Sequence, residues 1–326
     1  MSTERPLRAS DVLSRDEIRA LTRTSNAWGI AAIAWSWLVI AVVFAALARW
    51  PHPATFAAAV IVLGGRQLAL AVLMHEGAHG TLFRTRALND RLVDWLCARP
   101  VWGDVARYRR HHLQHHAHTG TERDPDLGLA LARPMTRRSL ARKIARDLVG
   151  VAGLRRVVGL LLIDAEVLTY DVGGGPRREP WRGALAHAGA LARNLWRPLI
   201  ANAALAGALI ALGHGWIYTA WIAAYLTTFS LFLRVRSLAE HACTERGGDP
   251  LRNTRTTRAG LLARITVAPL HVNLHLEHHL LPTVPWQRLP ALGRMLSERG
   301  VVPARSRARD YAEVLRAVSA AGAAGR

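Results

Sequence analysis

Two apolar stretches separated by five residues constrain this chain more than any other feature. Residues 27–48 (AWGIAAIAWSWLVIAVVFAALA) and 54–74 (ATFAAAVIVLGGRQLALAVLM) are each long enough to cross roughly 30 Å of hydrocarbon at 1.5 Å per residue. The intervening RWPHP leaves room only for a tight hairpin. A second, shorter pair covers 198–213 and 216–233, joined by little more than Gly213, His214 and Gly215. Pro198 suits a first helical turn, and Trp196 and Trp216 suit opposite membrane interfaces. The pattern predicts an all-α integral membrane protein with four transmembrane helices in two hairpins, topped by a helical cap. The apolar run 148–163 competes as a further crossing. Arg155 and Arg156 in its middle would each cost roughly 2.5–3.5 kcal/mol on insertion, so the run is expected to lie along the interface.

The formal charge of +20 invites a nucleic-acid reading, but its distribution argues against one. Arginines precede the first span, fill 75–193 and return after 234, while the two hairpin loops are nearly free of them. That is the positive-inside pattern, and it predicts that both termini and the central segment are cytoplasmic. No basic stripe with interleaved aromatics stands apart from the membrane segments. Lys143 is the only lysine, a codon bias that suggests a GC-rich bacterium and hence its inner membrane. Cys97 and Cys243, both on the predicted cytoplasmic side, are expected to be packed thiols. The expected organisation is a lead-in over 1–26 with a Ser14/Glu17 capping box, a membrane domain with its catalytic cap over 27–296, and a tail over 297–326 whose end frays. Arg66, inside the second span, finds no acid in the four spans to pair with.

Histidine is the second constraint. His75 and His79 form one cluster, His111, His112, His115 and His116 a second, and His275, His278 and His279 a third, with His241 alone after the fourth span. Spacings of i, i+3 and i+4 share a helix face, so His112/His115/His116 and His275/His278/His279 are each expected to aim three rings at one point. An HxxHH pattern is expected by chance roughly 0.03 times in such a chain, yet two occur. The pair, the two triads and His241 make nine imidazoles, where one tetrahedral zinc takes about four ligands. Two metal ions are therefore expected. Neutral imidazole suits iron, zinc and copper, and two metals left with open positions suit iron and redox work with oxygen. His111, His118 and His271 are assigned to the surroundings, and His52, His187 and His214 receive no role. HEGAH at 75–79 also matches HExxH, in which Glu76 would be the general base of an intramembrane zinc protease. That alternative leaves two triads and His241 unexplained. A metal transporter would place its histidines within the spans, whereas these cluster outside them.

In order, HEGAH, RRHHLQHHAHTGTERDPD, RSLAEHACTE and NLHLEHHLLPTVPWQRLPAL resemble the membrane fatty acid desaturase superfamily, from about residue 60 to 296. The resemblance implies a di-iron centre held by His75, His79, His112, His115, His116, His241, His275, His278 and His279, with no catalytic residue beyond the ligands. It gives Asn273 the role of orienting a ligand or holding a water. Asp124 and Asp126 become partners of imidazole N–H groups, unless they only build a turn around Pro125. The implied reaction is reductive activation of dioxygen, the co-substrate, and hydrogen abstraction from an unactivated C–H bond of a lipid acyl substrate drawn from the bilayer. Desaturation of a fatty acyl chain leads, and hydroxylation or ketolation of a lipid or carotenoid is the alternative. The chain shows no cytochrome b5 signature or dinucleotide glycine fingerprint and too few cysteines for an iron–sulfur cluster. An external donor is therefore implied, ferredoxin first, with Arg107, Arg109 and Arg110 as a docking face.

Overall fold

The computed structural model describes residues 6–130, 135–171 and 175–320. Among them, three helices are long and apolar enough to cross a bilayer: Asn26–Arg49, Pro53–His79 and Gly215–His241. The first two form the expected hairpin. Pro53 occupies the first turn of its helix, where its missing N–H costs nothing, and His52 caps the helix by accepting the Ala54 amide. The Asn26–Arg49 helix turns Ile33, Ile40, Phe44 and Leu47 inward and leaves Trp35 and Val42 more than half exposed, as a helix facing lipid on its outer side would.

The second hairpin differs from its expected form. Its first arm is the 28-residue helix Ala184–Ala211, with Pro198 inside it rather than in its first turn. The helix begins 14 residues before Pro198, and Arg193 and Arg197 are both exposed on it. This helix is not among the three that satisfy length and composition together. The return arm is broken at Thr227 (φ −110°, ψ −86°), which separates Tyr218–Leu226 from Thr228–His241. At the break, Gly64 lets the second helix approach so closely that a Cβ there would meet Thr228 Oγ1 and the Phe229 backbone nitrogen.

The 148–163 run forms the helix Val151–Asp164. Its 14 residues span about 21 Å, too short for a crossing. Arg156 turns inward to donate to Ser230 Oγ at 2.9 Å and to the Tyr225 carbonyl at 2.6 Å. Arg66 also finds a partner. It is buried and donates to the Ile265 carbonyl at 3.3 Å, the last residue of the short helix Leu261–Ile265, where a cation is favoured.

Two terminal segments close the cap. The Ser14/Glu17 capping box is present at the helix Arg15–Leu21. Leu13 and Leu21 pack against Leu292 and Leu296 of the helix Leu289–Glu298. The C-terminal stretch departs from expectation: Ala317–Ala320 complete the helix Tyr311–Ala320, because Val318 is fully buried against Leu238 and Ala242. The rest of the segment expected to fray, 321–326, lies outside the described residues. Among the described residues the regular elements are helices, apart from a parallel pair of two-residue strands, Thr256–Thr257 with Arg307–Ala308, and the isolated bridges Leu168–Arg178 and Thr256–Leu274.

Candidate metal centre

Four chain segments deliver histidines to one place. His75 and His79 end the helix Pro53–His79, which Gly80 stops in the left-handed conformation (φ 72°). His112, His115 and His116 lie on the helix Val105–His118, capped by Asp104 through the Arg107 amide. His241 is the last residue of Thr228–His241. His275, His278 and His279 belong to the six-residue helix His275–Leu280. Before it, Leu270 and His271 both adopt positive φ, a costly reversal for residues with side chains. Asn273 is where that turn is fixed. Its side-chain amide donates to the Thr257 carbonyl at 2.8 Å, while its own carbonyl accepts the Thr257 amide. Its recorded side-chain bond therefore ties the third box to the small sheet rather than to a ring.

The rings sort into two groups. One nitrogen from each of His75, His79, His112, His116 and His278 lies within 4.8 Å of the others, and His115, His241 and His279 form a second such set. His275 joins the second set, with its Nε2 2.8 Å from His241 Nε2 and its ring 4.5 Å from that of His279. The rings of His116 and His279 stack at 4.1 Å and join the two. Neither HxxHH triad aims at a single point, contrary to expectation. At about 100° per residue, the first and last histidines of the motif diverge by only about 40°, while the middle one swings away from the last by about 100°. The motifs are used in complementary fashion. His112 and His116 enter the first group with His278, the middle ring of the third box. His275 and His279 enter the second with His115, the middle ring of the second box.

The surroundings orient the rings. His115 Nδ1 lies 2.8 Å from Asp124 Oδ1, and Asp124 Oδ2 accepts the Gly120 amide at 2.9 Å. His241 Nδ1 meets the Asn253 carbonyl, and His279 Nδ1 meets Thr119 Oγ1, both at 3.3 Å. Every ring of the second set of three is thus tethered through Nδ1, which leaves Nε2 to point inward, as is usual for imidazoles that bind metal. Asp126 lies 2.8 Å from His111 Nε2, one ring outside the groups. Glu76 and Glu240 approach His75 Nδ1 and His275 Nδ1 at 3.4 and 3.5 Å. Glu240 and Asn253 were missed in the sequence. Glu240 carried a signal, since it precedes His241. Asn253 carried none, yet it is buried and donates to the Thr119 and Gly247 carbonyls at 2.9 and 2.6 Å.

The donor set fits metal ions. Among the described residues, His75 (both ring nitrogens), His79 Nε2, His116 Nδ1, His275 Nδ1 and His279 Nε2 are buried without a hydrogen-bond partner. An unmet buried polar atom costs about 1–3 kcal/mol, and a shared cation would satisfy several at once. Burial, and then the neighbouring rings, hold His112, His116, His275, His278 and His279 well below the ordinary imidazole value, in the neutral form that binds metal. Burial would raise Asp124, but the His115 contact and the backbone amides outweigh it and keep this carboxylate below its usual range.

Glu76 is held through one of its two carboxylate oxygens. Its Oε2 accepts from Thr81 Oγ1 at 2.9 Å and from the Trp286 amide at 3.0 Å, so it ties the first box to the segment after the third. Two of the three arginines considered for docking are likewise occupied. Arg107 pairs with Asp164, and Arg109 with Asp90, both at 2.7 Å. Arg110 is exposed. Cys97 is buried, as expected of a packed thiol, whereas Cys243 is exposed, contrary to that expectation.

Comparison with known proteins agrees with this geometry. A zeaxanthin 4-ketolase of Chlamydomonas reinhardtii is 27% identical over 77% of this chain and 47% of its own length. A dihydrorhizobitoxine desaturase of Bradyrhizobium elkanii is 26% identical over 81% of the chain and 74% of its own. A beta-carotene 4-ketolase of Haematococcus lacustris is 25% identical over 76% and 65%. The chain therefore spans about half the length of the first of these relatives and about two thirds of the third. Residues 50–308 match the family described as fatty acid desaturase, and with most of its length inside that match the chain belongs to this family.

Proposed function

We propose that this chain is a membrane di-iron oxidoreductase that uses dioxygen and external electrons to introduce a C=C bond into a fatty acyl chain. The observation that carries the proposal is the convergence of nine histidine rings, five of which have a buried nitrogen without a hydrogen-bond partner. Two irons held by His75, His79, His112, His116 and His278 on one side, and by His115, His241, His275 and His279 on the other, would supply oxygen activation for attack on an unactivated C–H bond. The protein's own residues orient the rings through Asp124, Thr119 and Asn253 and hold the four segments together. The reading includes Ala184–Ala211 as a fourth crossing, both termini in the cytoplasm, a bacterial inner membrane, and an acidic ferredoxin-type donor docking near the exposed Arg110.

A second reading, ketolation or hydroxylation of a carotenoid, is favoured by the two ketolases among the relatives above. Lipids and pigments of cells expressing the chain, profiled by mass spectrometry beside the His112→Ala variant, separate the two. New double bonds in acyl chains, lost in the variant, support desaturation, while new keto or hydroxyl groups on pigments replace it with the second reading. One zinc per purified chain and no oxidised product would return the site to hydrolysis.

A further inference from the structure

A cavity of about 800 Å³ opens beside the centre, and His112, His115, His241 and His275 form one of its walls. That volume falls within the usual range for ligand sites, about 300–1,000 Å³. Its other walls come from Arg137–Leu148, Val151–Asp164 and Thr228–His241, and they carry four cations: Lys143, Arg156, Arg234 and Arg236. Two of these are neutralised. Arg234 forms a forked pair with Asp147, and Arg236 bonds Glu240 at 2.6 Å.

The other two are not. The lining carboxylate Asp126 is engaged by His111 Nε2 at 2.8 Å, whereas Arg156 reaches only Ser230 Oγ and the Tyr225 carbonyl, its Nε is buried without a partner, and its guanidinium lies 4.5 Å from the Tyr225 ring centre and 4.6 Å from that of Phe229. Lys143 is half-buried, and its amine has no hydrogen bond or ion pair among the described residues. Hydrocarbon packed against two uncompensated cations would strip their hydration and return nothing, a cost of several kcal/mol. An anion would instead form charge-assisted bonds with both. Thr136 and Ser139 supply further donors on the Lys143 wall.

We infer that this cavity binds the anionic end of the substrate, a carboxylate or phosphate ester, on Lys143 and Arg156, with the attached carbon chain leading to the histidine wall. The inference rests on the proposed oxidation at the histidine centre and narrows its substrate to an amphiphile rather than a neutral pigment. The same chemistry is offered by a free acid and by an anionic lipid headgroup.

The test is equilibrium binding of radiolabelled decanoate and of decan-1-ol to the iron-loaded protein in nanodiscs of neutral phosphatidylcholine. Decanoate should bind about tenfold more tightly than the alcohol, the worth of one charge-assisted bond. Lys143→Gln should remove most of that preference, and Lys143→Arg should restore it. Lys143→Gln breaks no recorded contact, so its fold is preserved, and its iron content provides the control. Repeating the measurement in phosphatidylglycerol nanodiscs separates the sources. Displaced decanoate assigns the site to a lipid headgroup, and retained decanoate assigns it to a free acid. Equal binding of the acid and the alcohol, or decanoate affinity unmoved by Lys143→Gln combined with Arg156→Gln, overturns the inference. A protein that holds iron and oxidises lipid without this preference would keep the function and lose the anion site. One that shows the preference but takes no iron would do the reverse.

Discussion

Asp124 holds His115 from behind: its Oδ1 lies 2.8 Å from the ring's Nδ1, while its Oδ2 takes the Gly120 amide and its Oδ1 also accepts the Asp126 amide. The carboxylate is thus fixed by backbone before it fixes the ring. Partners of this kind set the tautomer and basicity of a metal-binding imidazole, and their loss typically costs 10- to 100-fold in metal affinity. Asp124→Ala should lower iron affinity by about that factor, while Asp126→Ala, whose ring partner His111 lies outside both groups, should leave it within a few fold. Iron retained by each variant during dialysis against a graded chelator measures the difference. Equal retention would show that Asp124 serves only its turn.

Metal removal should destabilise the cap. The rings of the two groups, with His79 Nε2 and His279 Nε2 buried and unpartnered, crowd together in the protein interior, and a ligand bound only by the native state stabilises it by mass action. Chelation should lower the thermal midpoint by several degrees, and ferrous iron should restore it. An unchanged midpoint would mean that the rings satisfy each other without metal.

Much of this centre was legible because histidine is rare and its spacing is a helical one. The two apolar stretches of the first hairpin and the positions of all nine rings followed from local pattern. The division of each triad between two groups required the angular difference between i+3 and i+4 to be followed through, and three positions had been treated as one face. Long-range closures left no trace in composition. Asn253 bonds Thr119 across 134 positions, and Arg66 donates to a carbonyl 199 residues away, so a partner sought among the acids of the spans could not be found. Pro198 was read by propensity as a helix start. Packing of the whole Ala184–Ala211 helix overrode that preference, and Asn202 turns back to donate to the Pro198 carbonyl at 2.9 Å.

Arg109 is expected to matter for structure before any partner is considered. Its Nε and one terminal nitrogen donate to the Ala78 and Gly77 carbonyls, each at 2.8 Å, at the end of the first-box helix, and the guanidinium also pairs with Asp90. It therefore sets the distance between the first and second boxes. Arg109→Met should destabilise the protein by about 2 kcal/mol through the freed Ala78 carbonyl and the lost Asp90 pair and reduce bound iron. Denaturant unfolding with parallel iron analysis checks both. Full stability in the variant would return this arginine to the surface role first considered for it.

The lead-in should release in acid. Glu17 closes the capping box on Ser14 and bonds Arg299 beyond the helix Leu289–Glu298, joining the two ends of the chain. The Arg299 bond, and then the Ser14 amide, lower its carboxyl from 4.5 to about 2. A carboxyl depressed in the folded state binds fewer protons there than in the unfolded chain, so its contribution is complete above about pH 4.5 and is lost as the pH falls toward about 2. Amide protection across Arg15–Leu21, taken relative to the intrinsic exchange rate at each pH, should therefore fall through that window, while the helix Pro53–His79 stays protected. Arg299→Met removes the largest cause of the depression, so its protection should already be low near neutral pH and change little on acidification. If wild-type protection over Arg15–Leu21 is flat across the window, the burial of Leu13 and Leu21 against Leu292 and Leu296 holds the lead-in without help from the ion pair.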